Sequence, residues 1–261
     1  MKPCNRPGAG STIGTAMVAA APADGYNVLM SGVFNVISPS LYSKLPYDYL
    51  RDFVHVAPTA SGSNVLVVRP DFAANNLAEL VRMAKARPDK FAFASAGSGT
   101  SGHLTMELFQ RQAGIRLTHV PYKGSAPALT DVLAGITPMI ATNQDAVIPF
   151  LKSGQLKALG ITTARRLPAF PDTPTFVEAG YPDMVVASWG AVAVRRGTPQ
   201  PIIDRLRNAT QQALKLPAVR KPVEADGWEI MEMNPADFDA FARKETARWA
   251  QVVKAVNINL G

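Results

Sequence analysis

Residues 91–103 decide the fold and read Phe91-Ala92-Phe93-Ala94-Ser95-Ala96-Gly97-Ser98-Gly99-Thr100-Ser101-Gly102-His103. An apolar run typical of a β-strand leads into a turn of small residues, and a helical pattern follows. Glycines let a ligand approach the backbone closely, Ser and Thr supply hydroxyl groups, and the free amides of a helix start favour negative charge. The stretch therefore predicts a strand–loop–helix unit that binds an anion.

The kind of anion is the first question that this loop raises. Its spacing Gly97-x-Gly99-x-x-Gly102 is that of a dinucleotide-binding fingerprint placed between a strand and a helix. That fingerprint expects an acidic residue about 20 positions further on. The next strand candidate, 117–123, ends without one, which counts against NAD.

Two other interpretations of the same loop stay open. A carboxylate needs only amides and hydroxyl groups, and the loop offers both. A purely structural turn, whose glycines permit tight packing of the strand against the helix, fits as well. A nucleotide-phosphate loop is not indicated, because no Gly-Lys-Ser/Thr follows the glycines.

The composition is that of an ordinary globular chain. The 261 residues are 47% hydrophobic and 18% charged, which is enough for two lobes or one large domain. The formal net charge is +7, but the basic residues are dispersed in runs no longer than a pair, such as 165–166 and 195–196. We therefore expect no nucleic-acid partner, whereas a positive field helps to gather small anions.

Few residues are available for metal or redox chemistry. Cys4 is the single cysteine, and His55, His103 and His119 show no metal-ligand spacing. We predict neither a metal nor a cofactor. No apolar run reaches the roughly 18 residues of a membrane span. The first residues lack the apolar core of a secretory signal, so the sequence as read would keep the chain in the cytoplasm.

Strand-like runs alternate with helical patterns along the chain, which predicts an α/β fold with largely parallel sheets. The strand candidates are 28–30, 64–68, 117–121, 138–141, 156–162 and 185–194. The helix candidates begin near 76, 101, 125, 146, 202 and 235. We assign the N-caps of four of these helices to Asn76, Ser125, Asp145 and Asn234.

Ordered blocks throughout the chain resemble the Bug family, the extracytoplasmic solute receptors of tripartite tricarboxylate transporters. The blocks are Asn5-Arg6-Pro7-Gly8-Ala9-Gly10, Asp24-Gly25-Tyr26, 38–42, Leu45-Pro46-Tyr47-Asp48, Asp52-Phe53, 97–104, 120–129, 171–175, Glu178-Ala179-Gly180 and Ser188-Trp189. The resemblance covers nearly the whole chain. Such a series is more specific than a single glycine motif.

This resemblance implies an α/β, two-lobed, periplasmic-binding-protein-like (type II) fold. Lobe 1 would comprise 1–66 and 187–261, and lobe 2 would comprise 67–186. The implied function is capture of a small carboxylated metabolite, such as a di- or tricarboxylate, an amino acid or an aromatic acid, and its delivery to a membrane permease. The resemblance implies a periplasmic monomer without catalysis. An NAD(P)-dependent oxidoreductase that uses the glycine loop is the alternative.

Matched residue by residue, the resemblance also implies a set of ligand contacts. In lobe 1 and near the crossover these are Ser31, Gly32, Ser61, Gly62 and Trp189, the last with either a ligand-lining or a packing role. In lobe 2 they are Gly97, Ser98, Gly99, Thr100 and Ser101 as an anion cradle, with Lys123, Gly124, Ser125 and Asn143 beside it.

The sequence departs from the family pattern in two places. Family members begin with an export signal and a strand–loop–helix before the Asn-Arg-Pro block, so we expect lobe 1 to lack that strand–loop–helix. Similar receptors often carry Asp-Asn after the strand at 138–141, where this sequence has Thr142-Asn143-Gln144-Asp145. Loss of a negative charge there favours an anionic portion of the ligand.

Overall fold

A computed structural model describes residues 3–6 and 8–261 and divides the chain into two compact units. Unit 1 comprises the residues up to Ser61 together with Trp189–Gly261, and unit 2 comprises Gly62–Ser188. The chain leaves unit 1 within a strand that covers Phe53–Val68 and returns within a strand that covers Ala187–Arg195. Both strands therefore contribute residues to both units.

The strands and helices are numbered in chain order. The strands are β1 (Val28–Gly32), β2 (Phe53–Val68), β3 (Ala92–Ser95), β4 (Thr118–Pro121), β5 (Met139–Asn143), β6 (Lys157–Ile161), β7 (Ala187–Arg195) and β8 (Glu229–Ile230). The helices are α1 (Thr12–Ala20), α2 (Val33–Leu41), α3 (Tyr49–Asp52), α4 (Leu77–Ala86), α5 (Ser101–Ala113), α6 (Ser125–Leu133), α7 (Gln144–Lys152), α8 (Gln200–Lys215), α9 (Pro217–Ala225) and α10 (Pro235–Val256). A 3-10 turn at Ala9–Ser11 precedes α1.

Unit 1 is a small antiparallel sheet covered by helices. β1 pairs with β7 in the register Val28↔Val194 to Gly32↔Gly190, and β8 pairs with Ala60 and Ser61 in the middle of β2. α10 packs on α2, and both bury large apolar side chains. The 22-residue α10 buries Trp249 and Phe238, so the last helix of the chain supplies much of the core of this unit.

Unit 2 holds a mixed sheet in the order β6–β2–β5–β3–β4. β3 runs parallel to both β4 and β5, whereas β2 runs antiparallel to β5 and β6. Successive residues of β2 enter different apolar clusters, because side chains alternate between the two faces of a strand. Leu66 and Val68 pack with Phe93 and Phe109, and the neighbours Val65 and Val67 pack in the other cluster.

The expectation of largely parallel sheets is wrong. The pairings β1–β7, β2–β5, β2–β6 and β2–β8 are all antiparallel, and parallel pairing occurs where β3 meets β4 and β5. An apolar strand buried on both faces has the same pattern in either direction, so the sequence carries no signal for its orientation. The strands joined by the units β3–α5–β4 and β4–α6–β5 run in parallel, as such crossover connections require.

Two of the four assigned helix caps are confirmed. The Asn76 Oδ1 accepts a hydrogen bond from the amide of Glu79 at 2.9 Å. The Asn234 Oδ1 accepts one from the amide of Asp237, also at 2.9 Å, and Pro235 follows at the first helical position. Both caps satisfy amides that the first turn of a helix leaves without an acceptor.

The other two assigned caps are wrong. α6 begins at Ser125 itself with Gly124 as its N-cap, and the Ser125 hydroxyl lies 2.9 Å from that of Thr142. α7 follows β5 without a connecting residue, so the last residue of the strand, Asn143, occupies the N-cap position. Asp145 lies in the first turn of α7, where its charge still favours the helix.

Candidate functional site

Unit 2 places the starts of three helices at one edge of its sheet. Because β5, β3 and β4 run in parallel, their carboxyl ends lie at the same edge, and α7, α5 and α6 follow these strands in turn. The first amides of each helix lack an acceptor within the helix, and the helix dipole makes this end positive. This edge of the sheet is therefore suited to binding an anion.

The loop between β3 and α5 depends on two glycines with left-handed backbone conformations. Gly97 has φ 140° and Gly99 has φ 79°, values that residues with a side chain rarely adopt. The Gly97 carbonyl accepts hydrogen bonds from the hydroxyls of Thr100 at 2.7 Å and Ser95 at 3.1 Å. The loop is thus held in one conformation by its own side chains.

Several amides of the predicted cradle are already bonded within the protein. The Gly97 amide donates to the Ser95 hydroxyl at 3.2 Å, and the Thr100 amide donates to the Gly97 carbonyl at 3.3 Å. The Gly99 amide donates to Nδ1 of His103 at 3.1 Å. In the described part of the chain, amides without an acceptor are those of Ser98, Ser101, Gly102 and His103. The donors available to a ligand therefore belong to Ser98 and to the first turn of α5.

Gly102, the third glycine of the motif, has a packing role. A Cβ atom at this position would lie 2.1 Å from the Ala141 carbonyl oxygen. α5 thus approaches β5 more closely than any larger residue would allow, which is the structural role expected of the last glycine in such a loop. The close approach brings the α5 N-terminus next to the end of β5.

Two stacked histidines lie beside the loop. The His103 and His119 rings are 3.9 Å apart at 18°, and His119 Nε2 lies 2.7 Å from the Ser95 hydroxyl. Burial, and then the neighbouring His103, lower the pKa of His119 to about 3. His103 accepts from Gly99 through Nδ1, so this nitrogen carries no proton. Both rings therefore hold the loop through hydrogen bonds, His103 to Gly99 and His119 to Ser95.

A chain of buried polar side chains connects the loop to the end of β5. The Ser101 hydroxyl lies 3.2 Å from Asn64 Oδ1 and 2.9 Å from the Ser188 hydroxyl. The Ser188 hydroxyl lies 2.8 Å from Asn143 Oδ1. Ser101 and Asn143 were expected at the site, whereas Asn64 was missed. The only sequence signal for Asn64 is its place directly before the apolar run 65–68, because asparagine is disfavoured in strands.

The remaining predicted residues of unit 2 border the same edge. Lys123 is exposed, and its ammonium has no partner in the part of the chain that the structure describes. Gly124 has φ 121°, and its amide donates to the Ala96 carbonyl at 3.0 Å. The structure therefore brings together Gly97–Ser101, Lys123–Ser125 and Asn143. Gly62 lies at the first position of unit 2 within β2.

The predicted residues of unit 1 serve its own packing. Ser31 and Gly32 lie within β1 and not after it, and the Ser31 hydroxyl donates to the Ala191 carbonyl at 2.8 Å. A Cβ atom on Gly32 would lie 2.8 Å from the Trp189 carbonyl oxygen. The Trp189 ring contacts Phe238 edge-on, with ring centres 5.4 Å apart. Ser61 pairs with β8.

The described residues include no group of three or more His, Cys, Asp or Glu side chains placed to hold a metal ion. Among the helices that the structure describes, none combines the length and the apolar character needed to cross a membrane. What the edge of unit 2 offers chemically is a set of amide and hydroxyl donors around the starts of three helices. Such donors bind a carboxylate through charge-assisted hydrogen bonds.

The sequence matches a known family over nearly its whole length. The profile described as "Tripartite tricarboxylate transporter family receptor" covers residues 4–258. Protein BugT of Bordetella pertussis is 37% identical over 258 residues, which are 98% of this chain and 79% of BugT. A protein of Pseudomonas sp. (strain P51), from the tcbD-tcbE intergenic region, is 34% identical over 98% of this chain and 76% of its own length.

Solved structures give the same result. The periplasmic binding protein BugD superimposes with a TM-score of 0.93 at 32% identity, covering 97% of this chain and 86% of BugD. MatC of Rhodopseudomonas palustris, with bound malate, superimposes with a TM-score of 0.89 at 30% identity, covering 94% of this chain and 85% of MatC. An R. palustris protein with adipate superimposes with a TM-score of 0.90 at 33% identity, covering 95% of this chain and 84% of that protein. The predicted periplasmic-binding-protein-like fold is thus confirmed, and the chain belongs to the tripartite tricarboxylate transporter receptor family, as a solute-binding receptor of the Bug type.

Proposed function

We propose that this receptor captures a small dicarboxylate and delivers it to the membrane permease of a tripartite tricarboxylate transporter. One ligand carboxylate would accept hydrogen bonds from the free amides of Ser98, Ser101 and Gly102. The observation that carries this proposal is the convergence of three helix starts at one edge of the unit 2 sheet. We propose the other ligand contacts from the family resemblance alone; they are Ser31, Gly32, Ser61, Gly62 and Trp189.

Simple energetics support an anionic ligand at this edge. A hydrogen bond to a charged group contributes about 1.5–3 kcal/mol, so two or three amides give millimolar to micromolar affinity before other contacts are added. Each helix dipole adds about 0.3–1 kcal/mol for an anion at its N-terminus. The exposed Lys123 and the net charge of +7 further favour the approach of an acid.

The ligand class is proposed by analogy with the structural neighbours. Malate is bound in MatC, and adipate accompanies the R. palustris structure. Both compounds are flexible dicarboxylates without a permanent positive charge. The periplasmic description of BugD supports a receptor that works in the periplasm. The monomeric state stays a prediction from the family resemblance.

A thermal-shift screen tests the proposal. The panel contains succinate, malate, adipate, citrate, aspartate, glutamate, nicotinate and NAD(P). A ligand that binds only the native protein raises stability by RT ln(1 + [L]/Kd), so at least one dicarboxylate should raise Tm and NAD(P) should not. Stabilisation by NAD(P) alone, or by no acid in the panel, contradicts the proposal.

A matched pair of variants locates the binding site. Gly99→Val forces a β-branched residue into φ 79° and should distort the loop, which abolishes the shift caused by the acid. Gly180→Val introduces a similar backbone strain at φ 94°, at an exposed turn with open space around it. This control should lose stability and keep its affinity for the acid. If the two variants bound the acid with equal affinity, the binding site would not include the loop.

A further inference from the structure

The hydrogen-bond chain between Asn64 and Asn143 contains too few hydrogens for its contacts. Three contacts join Asn64 Oδ1, the Ser101 hydroxyl, the Ser188 hydroxyl and Asn143 Oδ1, at 3.2, 2.9 and 2.8 Å in that order. Each serine hydroxyl carries one hydrogen, and the two carbonyl oxygens at the ends carry none. Two hydrogens cannot fill three contacts, so one terminal amide must turn its NH2 group toward its serine.

The buried amide of Asn64 decides which end turns. The side chain of Asn64 is fully buried, and its Nδ2 has no acceptor among the described residues. If Asn64 turns by 180°, Nδ2 donates to Ser101, and a carbonyl oxygen takes the position without a partner. If Asn143 turns instead, the buried NH2 of Asn64 stays unpaired. A buried N–H without a partner is the rarer and costlier defect, so Asn64 turns.

This arrangement gives the chain a direction. Asn64 Nδ2 donates to Ser101, Ser101 donates to Ser188, and Ser188 donates to Asn143 Oδ1. The Asn143 carbonyl is thereby fixed as an acceptor within the protein. Its NH2 group is the free end of the chain, in a half-buried residue at the end of β5 and the start of α7.

We infer that Asn143 is a specificity-determining residue that offers amide hydrogens to the ligand and so selects a carboxylate or other acceptor group over an ammonium group. The inference rests on the proposed function and narrows it to acids without an amino group near Asn143. An ammonium group has three donors and no acceptor, so it would meet the Asn143 NH2 with like polarity and without a hydrogen bond. The α7 N-terminus adds to this preference, because it repels cations.

Asn143→Asp tests the inference with little risk to the fold. Aspartate keeps the acceptor for Ser188 and caps a helix as well as asparagine does, so the variant should fold with an unchanged or raised Tm. It replaces the NH2 group by a second carboxylate oxygen, which repels an acid and accepts from an ammonium group. Asn208→Asp makes the same change at an exposed position on α8 of unit 1 and is the matched control.

The measurement is isothermal titration calorimetry with paired ligands that differ only in an amino group: succinate and aspartate, glutarate and glutamate, adipate and 2-aminoadipate. The wild type and Asn208→Asp should bind the plain acid of the best pair about tenfold more tightly than its amino partner. Asn143→Asp should weaken the plain acid by about tenfold or more and reverse this preference. Ser188→Ala removes the donor that orients Asn143, so it should reduce the preference for the plain acid over its amino partner. Its affinity for either ligand should fall less than the affinity of Asn143→Asp for the plain acid.

The outcomes separate this inference from the proposed function. Two results overturn the inference: a wild type that prefers the amino-bearing ligands, or plain acids that bind Asn143→Asp as tightly as they bind the wild type. In either case the receptor function is still supported if Gly99→Val abolishes binding. A wild type that binds none of the acids overturns both.

Discussion

The amide of Gly99 donates a hydrogen bond to Nδ1 of His103, one turn further along the chain, at 3.1 Å. This contact removes the central glycine of the loop from the set of possible ligand donors. It also holds the His103 ring in a fixed orientation against His119. The anion site therefore consists of the donors that this contact leaves free, at Ser98 and in the first turn of α5.

Gly102→Ala should destabilise the protein, although alanine is a better helix former than glycine. The added Cβ atom would lie 2.1 Å from the Ala141 carbonyl oxygen, and overpacking of this kind costs about 1–3 kcal/mol. Gly14→Ala is the matched control, because it lies in α1 with its nearest neighbour at 3.7 Å. In urea unfolding, Gly14→Ala should leave the free energy of unfolding unchanged or raise it by up to about 1 kcal/mol. A stabilised Gly102→Ala would contradict the close contact between α5 and β5.

The half-buried His119, stacked on His103, should make the protein sensitive to acid. The pKa of His119 is lowered from 6.5 to about 3. Between these values the unfolded chain binds a proton that the native ring does not. His119 therefore leaves the free energy of unfolding unchanged above pH 6.5 and lowers it as the pH drops toward 3. Because the ring is partly exposed, we expect a contribution of about 1–2 kcal/mol between pH 7 and pH 4.5.

His119→Gln provides the comparison, because glutamine keeps a polar group near Ser95 without titrating. In urea unfolding at pH 7 and pH 4.5, the wild type should lose about 1–2 kcal/mol more than this variant. Equal losses would show that His119 is protonated as readily in the native protein as in the unfolded chain.

Sequence patterns located the elements with strong local signals. α4 and α10 combine a capping asparagine with an apolar stripe, and both were expected. α2 was missed, since Pro39 lies within it and several of its residues are β-branched, which weakens its helical propensity. Its helical form depends on packing against α10, a contact that no local pattern encodes.

The candidate site was predicted at the level of the loop and not of its individual donors. The glycines at 97 and 99 do have the left-handed conformations that the pattern indicates. Which amides remain free depends on contacts such as Gly99 with His103, which require the folded loop. Asn64 joins the site through β2, more than thirty residues before Ser101, so no short motif connects them.

Amide NMR gives the most direct test of the account. With ¹⁵N-labelled protein titrated with the dicarboxylate that gives the largest thermal shift, the amide protons of Ser98, Ser101 and Gly102 should move downfield as they begin to donate to a carboxylate. The Gly180 amide, which donates to the Val177 carbonyl at 3.0 Å, should stay unchanged. Saturable binding that leaves the Ser98, Ser101 and Gly102 resonances in place would contradict the claim that these amides hold the ligand.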